Sequence, residues 1–214
     1  QTEITECEKK IEEIISKYAA ALGNDPERIA MVKKCKGRKN PLSFNIERYA
    51  YAIYGVNVMA IPGVNDSLIL NSIGELGYDF IKKFDSSRKF NKWLNIVPNN
   101  KITGGKLISS KLQKRKNIMG QAFRMSANAV KNQQNEMGRY FRRIKARDGY
   151  AQAVVATAHK IATIFYTMIK NQLEYNGNLV GCDEKTILEK KLRRTQQQLD
   201  RLKMRQDELD KQPA

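Results

Sequence analysis

Val58-Met59-Ala60-Ile61-Pro62-Gly63-Val64-Asn65-Asp66, followed by Ser67-Leu68-Ile69-Leu70-Asn71-Ser72-Ile73-Gly74-Glu75-Leu76-Gly77, is the stretch on which the reading of the fold turns. Pro62-Gly63 marks a turn and Gly77 a helix stop, with apolar residues on both sides of the turn. The pattern predicts an apolar turn of helix, a hairpin and a second apolar helix, the arrangement of a helix-hairpin-helix. There the hairpin glycine, Gly63, frees backbone N–H groups at a helix N-terminus to hold a phosphate. A second reading stays open beside it, an ordinary corner in a helical core, because this hairpin carries Asp66 and no base.

Outward from this stretch the chain reads as helix almost throughout. Aromatics and Ile53 predict a short helix from Phe44 to Tyr54, ended by Gly55. Phe80, Ile81, Phe84, Phe90, Trp93 and Leu94 follow at helical spacing and belong to a core, with Asp85-Ser86-Ser87 starting the helix that carries Phe90 and Trp93. Asn117 begins a helix with Ile118, Met119, Ala122, Phe123, Ser126, Ala129 and Val130 on one side. Asp148-Gly149 opens a long one, whose buried stripe runs through Tyr150, Val154, Thr157, Ala158, Ile161, Phe165, Met168 and Ile169.

Both ends carry a heptad seam. Ile4, Cys7, Ile11, Ile14, Tyr18 and Ala21 alternate steps of three and four, as do Leu188, Leu192, Thr195, Leu199, Leu202, Gln206 and Leu209. The fold class is therefore mainly α, a compact helical domain with a helix-hairpin-helix, flanked by N- and C-terminal coiled-coil helices. The expected division is 1–40, a coiled-coil linker with the basic connector Lys33–Lys39; 41–175, the helical domain; and 176–214, a hinge and the C-terminal coiled coil. The seams imply self-association or packing on another helix.

Charge narrows the function. The 214 residues carry a formal net charge of +17, far beyond what solubility requires, which points to nucleic acid first and an anionic surface second. From Lys101 to Arg147 there are thirteen Lys or Arg and one acid, Glu136, so this quarter holds +12 of the total. No run of 18 apolar residues exists, so a membrane protein is excluded and a cytoplasmic one expected. The three cysteines, Cys7, Cys35 and Cys182, are widely spaced with no histidine cluster and suggest neither disulfides nor zinc. The acids crowd into the terminal helices in no metal-binding arrangement, so no metal is expected on this chain and a self-contained two-metal nuclease is excluded. The first residue, Gln1, reads as the start of a piece of something longer.

The densest basic stretch is the loop 98–116 and its continuation to Arg124, where Lys101-Ile102-Thr103-Gly104-Gly105-Lys106 sets two glycines and a hydroxyl between lysines. Glycines let a backbone approach a phosphate and lysines neutralise it. Candidate nucleic-acid contacts are Gly63, Lys101, Gly104, Gly105, Lys106, Lys111, Lys114, Arg115, Lys116, Arg124, Arg142 and Arg143. Thr103 is the candidate catalytic hydroxyl, able to attack a phosphodiester if bases beside it stabilise the developing charge; a turn residue or phosphate donor is the other reading. His159, the lone histidine, is either structural or a phosphate contact.

Several motifs in series resemble a known family. Ile61-Pro62-Gly63-Val64, the Ile-Gly-Glu-Leu-Gly segment 73–77, Trp-Leu-Asn-Ile-Val-Pro-Asn-Asn at 93–100, Ile-Thr-Gly-Gly-Lys at 102–106 and Gly-Gln-Ala-Phe-Arg at 120–124 are similar to the C-terminal half of IS-one-ten-type insertion-sequence transposases. Tyr-Phe-Arg-Arg-Ile (140–144) and Ala-His-Lys-Ile-Ala (158–162) extend the resemblance, which spans about residues 1–175. It implies a DNA recombinase that joins an N-terminal RuvC-like domain with a DEDD metal site, which would hold Mg, to a C-terminal domain with a nucleophilic serine, guided by a bridge RNA. Residues 3–22 would be part of the linker, and the RuvC-like domain lies outside this sequence. Two departures stand out: the serine position before Gly-Gly holds Thr103, β-branched and more hindered, and the heptads of 183–211 lie beyond the match. The resulting expectation is a DNA-binding transposase fragment that needs a RuvC-like domain in trans, with DNA, a guide RNA and further copies of itself as partners. The alternatives are a non-catalytic nucleic-acid-binding remnant or regulator and an RNA-binding structural protein.

Overall fold

A computed structural model describes residues 2–21, 32, 42–77, 79–113, 115, 117–180 and 184–210. The basic connector 33–39, Cys35, Cys182 and the candidate contacts Lys114 and Lys116 lie outside the described residues. The chain divides into two compact units, Gln1–Asn176 and Gly177–Ala214. As the sequence predicts, the protein is mainly helical, with a single small sheet among the described residues.

The first unit comprises α1 (Thr2–Ala21), α2 (Ile46–Tyr54), a 3-10 turn (Val58–Ala60), α3 (Asp66–Leu76), α4 (Phe80–Lys83), α5 (Ser87–Trp93), strands β1 (Lys101–Thr103) and β2 (Lys106–Ser109), α6 (Ile118–Val130), α7 (Glu136–Asp148) and α8 (Tyr150–Asn171). Asparagine starts four of these helices. The Asn45, Asn65, Asn117 and Asn135 side chains accept from the backbone N–H of Glu47, Leu68, Gly120 and Gly138, and Ser86 does the same for Lys89. Each such cap satisfies a donor that the helix itself leaves unpaired, a contribution of about 1 kcal/mol.

Helix α8 is the post on which the unit is built, with α4, α5, α6 and α7 all packed against it. Ala153, Ala158, Ile161, Ala162, Phe165 and Met168 are buried along it, the small residues letting neighbouring helices come close. Phe80 stacks on Phe165 at 6.0 Å and Phe90 on Tyr166 at 5.8 Å, while Tyr54 and Phe123 meet Phe165 edge-on, each at 5.7 Å. Ring pairs of this kind add about 0.5–1.5 kcal/mol each to the area they bury. The polar ends are matched too. Tyr54 and Ser72 share a 2.7 Å hydrogen bond between hydroxyls, and Tyr166 donates to the Phe84 carbonyl at 2.7 Å; burial pushes the Tyr54 hydroxyl well above its ordinary pKa.

Close approach to backbone demands glycine at positions 63, 120 and 138. A Cβ on Gly120 would stand 2.0 Å from the Leu94 carbonyl oxygen, so only glycine lets α6 begin against the end of α5. Gly63 has φ +89, and a Cβ there would lie 2.5 Å from the Ser126 carbonyl oxygen and 2.7 Å from Val130 Cγ1. The turn Ile61–Val64 thus packs on α6. Gly63 has a steric reason that needs no ligand, in line with the reading of this stretch as a corner in a core.

The terminal helix α1 docks on α2 through a face other than its heptad seam. Ile15 is buried, Glu8 accepts from the Ser43 N–H at 3.0 Å, and Glu12 accepts from the Tyr49 hydroxyl at 2.9 Å. Ile4, Ile14 and Tyr18 of the seam are exposed. In the second unit, a 3-10 turn (Gly177–Val180) precedes α9 (Glu184–Asp210), on which Leu188, Leu192, Leu199 and Leu202 are exposed at the expected spacing, Leu192 to 76%.

Candidate nucleic-acid interface

The stretch expected to be a glycine-rich loop is a β-hairpin. Strands β1 and β2 pair antiparallel with Thr103 opposite Lys106, and the connection is the two residues Gly104 and Gly105 at φ +54 and +75. Positive φ at both central positions is the requirement of the tight hairpin turns whose twist matches that of paired strands, and glycine meets it without strain. A Cβ at either position would touch nothing within 4 Å, so it is handedness and not crowding that calls for glycine. The register slips between Lys101 and Ile102, and Asn99 N–H donates to the Lys111 carbonyl at 3.1 Å where the hairpin closes.

Lys101, Ile102, Thr103, Gly104, Gly105 and Lys106 are all exposed, and so is Ile108. The hairpin therefore presents Thr103 and Lys106 beside the turn and Lys101 at the other end of β1. No carboxylate or imidazole lies in β1, the turn or β2 to take a proton from that hydroxyl. Among the described residues, no group of three or more His, Cys, Asp or Glu comes together in a way that could hold a metal ion.

The other expected contacts sort into distinct places. Lys111 lines a cavity of about 680 Å³ at the base of the hairpin, together with Ser110, Tyr140, Arg147 and His159. Burial, and secondarily the charge of Lys160, hold the His159 imidazole below its ordinary pKa. Arg115 and Arg124 line a different cavity of about 750 Å³. Arg142 and Arg143 ride on α7, a helix the sequence reading did not predict. Arg142 donates to the Lys131 and Gln133 carbonyls at 3.2 and 2.8 Å, clamping the end of α6, and Arg143 lies over the Tyr140 ring at 5.4 Å. Of the two, Arg142 is thus already engaged within the fold.

Asn95 is the residue the sequence reading passed over. It is buried at a left-handed φ of 56, and its amide donates to the carbonyls of Gln113 and Arg115 at 2.7 and 2.9 Å, while its own carbonyl accepts from Arg124 at 2.7 Å. One side chain and one carbonyl thereby fasten the segment beyond the hairpin to both α5 and α6. Its signal is an asparagine just past a helix end, where the left-handed conformation is common.

In class, then, this is a basic, helix-built unit that projects a short lysine-bearing hairpin. Residues 56–142, from before the 3-10 turn through the hairpin into α7, match the sequence model of the family described as Transposase IS116/IS110/IS902 family, so this span is similar to that family. No curated protein and no solved structure matches the chain. No described helix is long and apolar enough to cross a membrane.

Proposed function

We propose that the chain is the C-terminal, nucleic-acid-binding portion of a recombinase that moves an insertion sequence, and that it grips DNA through the β1–β2 hairpin and the basic residues after it. The match over residues 56–142, which encloses the hairpin, carries this reading. The exposure of Lys101 and Lys106 on a hairpin with an unhindered turn supports it. Phosphate neutralisation makes log affinity fall with log salt by roughly 0.9 per contact on duplex DNA. Replacing Lys101, Lys106 and Lys111 by Ala is expected to reduce that slope by about 2–3 while leaving the melting temperature in place. A salt-independent affinity of the unmodified chain overturns the reading.

Catalysis would then fall to Thr103, with a RuvC-like domain in trans supplying the metal chemistry; a guide RNA and further copies of the chain, joined through the α9 leucine seam, complete the proposed assembly. Strand exchange with that domain added, comparing Thr103 with Thr103→Ser and Thr103→Ala, tests the role. Equal activity of the Ala form removes it. A second reading, a binder or regulator that does not cut, is favoured by the threonine itself and by the absence of a proton acceptor within the hairpin. It predicts the same salt-dependent binding with no covalent protein–DNA adduct. Arg substitutions at Leu192 and Leu202 are expected to lower the oligomeric state measured by light scattering.

A further inference from the structure

The cavity that holds Arg115 and Arg124 has a lining unlike the rest of the surface. Helix α6 turns Met119, Phe123, Ala127 and Val130 into the core, whereas Ile118, Gln121, Ala122 and Met125, spaced at three and four residues, face this cavity. Ile118 and Met125 are both exposed to about 60%, a large apolar exposure for the mouth of a basic cleft. Across from them, α3 contributes Leu68 and Asn71. The third wall is Leu112, Gln113 and Arg115, the last two held by hydrogen bonds from Asn95 to their carbonyls.

The chemistry of this lining is selective. No acid contributes to it; two arginines and six Asn or Gln side chains do. Three of those amides, Asn65, Asn95 and Asn117, spend hydrogen bonds on caps and carbonyls of the fold. Asn71 and Gln121 make none with the described protein atoms and keep both donor and acceptor for a ligand. A nucleobase offers what this set lacks: a flat apolar face and an edge that both donates and accepts, attached to a phosphate. The volume of about 750 Å³ falls within the range of small-ligand sites, about 300–1,000 Å³. A base stacked in a duplex has neither its face nor its whole edge free, so it must first leave the stack.

We propose that this cleft takes a single unstacked nucleotide of the bound strand, its base against Ile118 and Met125, its edge read by Asn71 and Gln121, and its phosphate on Arg115 and Arg124. The inference rests on the nucleic-acid-binding reading above and deepens it. The same chemistry is available from a base extruded from DNA and from a bulged base in RNA, so the test carries both.

The full chain is titrated into DNA and RNA duplexes that hold one bulged 2-aminopurine, and into fully paired controls. In at least one of the two nucleic acids, bulged substrates are expected to bind about tenfold more tightly than paired ones, a difference typical of lost base contacts, with a severalfold change in fluorescence. The arm that responds identifies the source. Asn71→Ala with Gln121→Ala is expected to abolish both the preference and the fluorescence change while the salt slope stays. Gln121→Glu, equal in size, is expected to do the same, and melting temperatures verify folding. An unchanged fluorescence response in these variants overturns the proposal, as does equal affinity for bulged and paired substrates with a normal salt slope; the binding reading survives both. Loss of salt-dependent binding to every substrate overturns the two together.

Discussion

The helical core around α8 and the β1–β2 hairpin are built on opposite terms. In the core, side chains decide everything: Phe80, Phe90, Phe123 and Phe165 are fully buried and interlocked, and a missing Cβ on Gly63 or Gly120 is what lets helices meet. In the hairpin, side chains decide almost nothing about the shape. Residues 101–106 and Ile108 are exposed, its strands pair only with each other, and two positive φ angles at Gly104 and Gly105 set its form. A two-stranded ribbon is marginal alone in water, so its lysines are free to be where a ligand wants them. Stability and charge have been kept apart within one unit.

That separation can be attacked from the core outward. Phe165→Ala removes the ring that Tyr54, Phe80 and Phe123 all touch and is expected to cost about 3–5 kcal/mol by denaturant unfolding. A loss under 1 kcal/mol would mean that α8 is not the post described here. Gly63→Ala forces a side chain into the Ser126 carbonyl at an unfavourable φ, and about 3 kcal/mol is expected. If the variant instead kept its melting temperature and lost only DNA affinity, the glycine would belong to the interface and not to the packing. Gly105→Ala should cost about 1–2 kcal/mol locally, from handedness alone; hydrogen exchange is expected to quicken in β1 and β2 and nowhere else.

The smallest effect is electrostatic. His159 has a folded pKa below its ordinary value, so the unfolded chain binds the proton more readily. Stability should therefore be unaffected by this group above about pH 6.5 and decline as the pH falls through the window between the ordinary and the lowered value. His159→Gln is expected to flatten that decline in melting temperature below about pH 6.5. An identical decline in the variant would assign it elsewhere.

Much of the core was legible in the sequence because helix starts and apolar spacing are local signals. Asn117, Ser86 and the Asp148-Gly149 pair each stand at the helix start they predict. Helix α7 went unread because arginines and lysines swamp its apolar stripe of Met137, Phe141 and Ile144, although Asn135 offers the same cap as its neighbours. The hairpin looks like a loop in the sequence because lysine and glycine density outweighs a plain cue, a Gly-Gly pair between Lys-Ile-Thr and Lys-Leu-Ile-Ser. Trp93, expected in the core, is 38% exposed. On α1, the seam and the docking face differ by a fraction of a turn, which periodicity alone does not resolve, since Ile14 and Ile15 are adjacent and only the second is buried.

The candidate site was legible in its charges and not in its grouping. Composition locates the basic quarter but does not tell that Arg115 and Arg124 share a cleft, Arg124 with one bond to the Asn95 carbonyl, while Arg142 lies elsewhere on the Lys131 and Gln133 carbonyls. That grouping depends on Asn95, whose partners are 18, 20 and 29 residues away.

The open space around the hairpin turn has a stereochemical corollary. Because a Cβ at Gly104 or Gly105 meets nothing, the only penalty for an L-residue there is its chirality, and a D-alanine, for which positive φ is the natural state, should be accepted at either site. A mirror-image residue would then stiffen the tip that an ordinary one loosens, and the spacing of Lys101, Thr103 and Lys106 could be tuned without changing one charge.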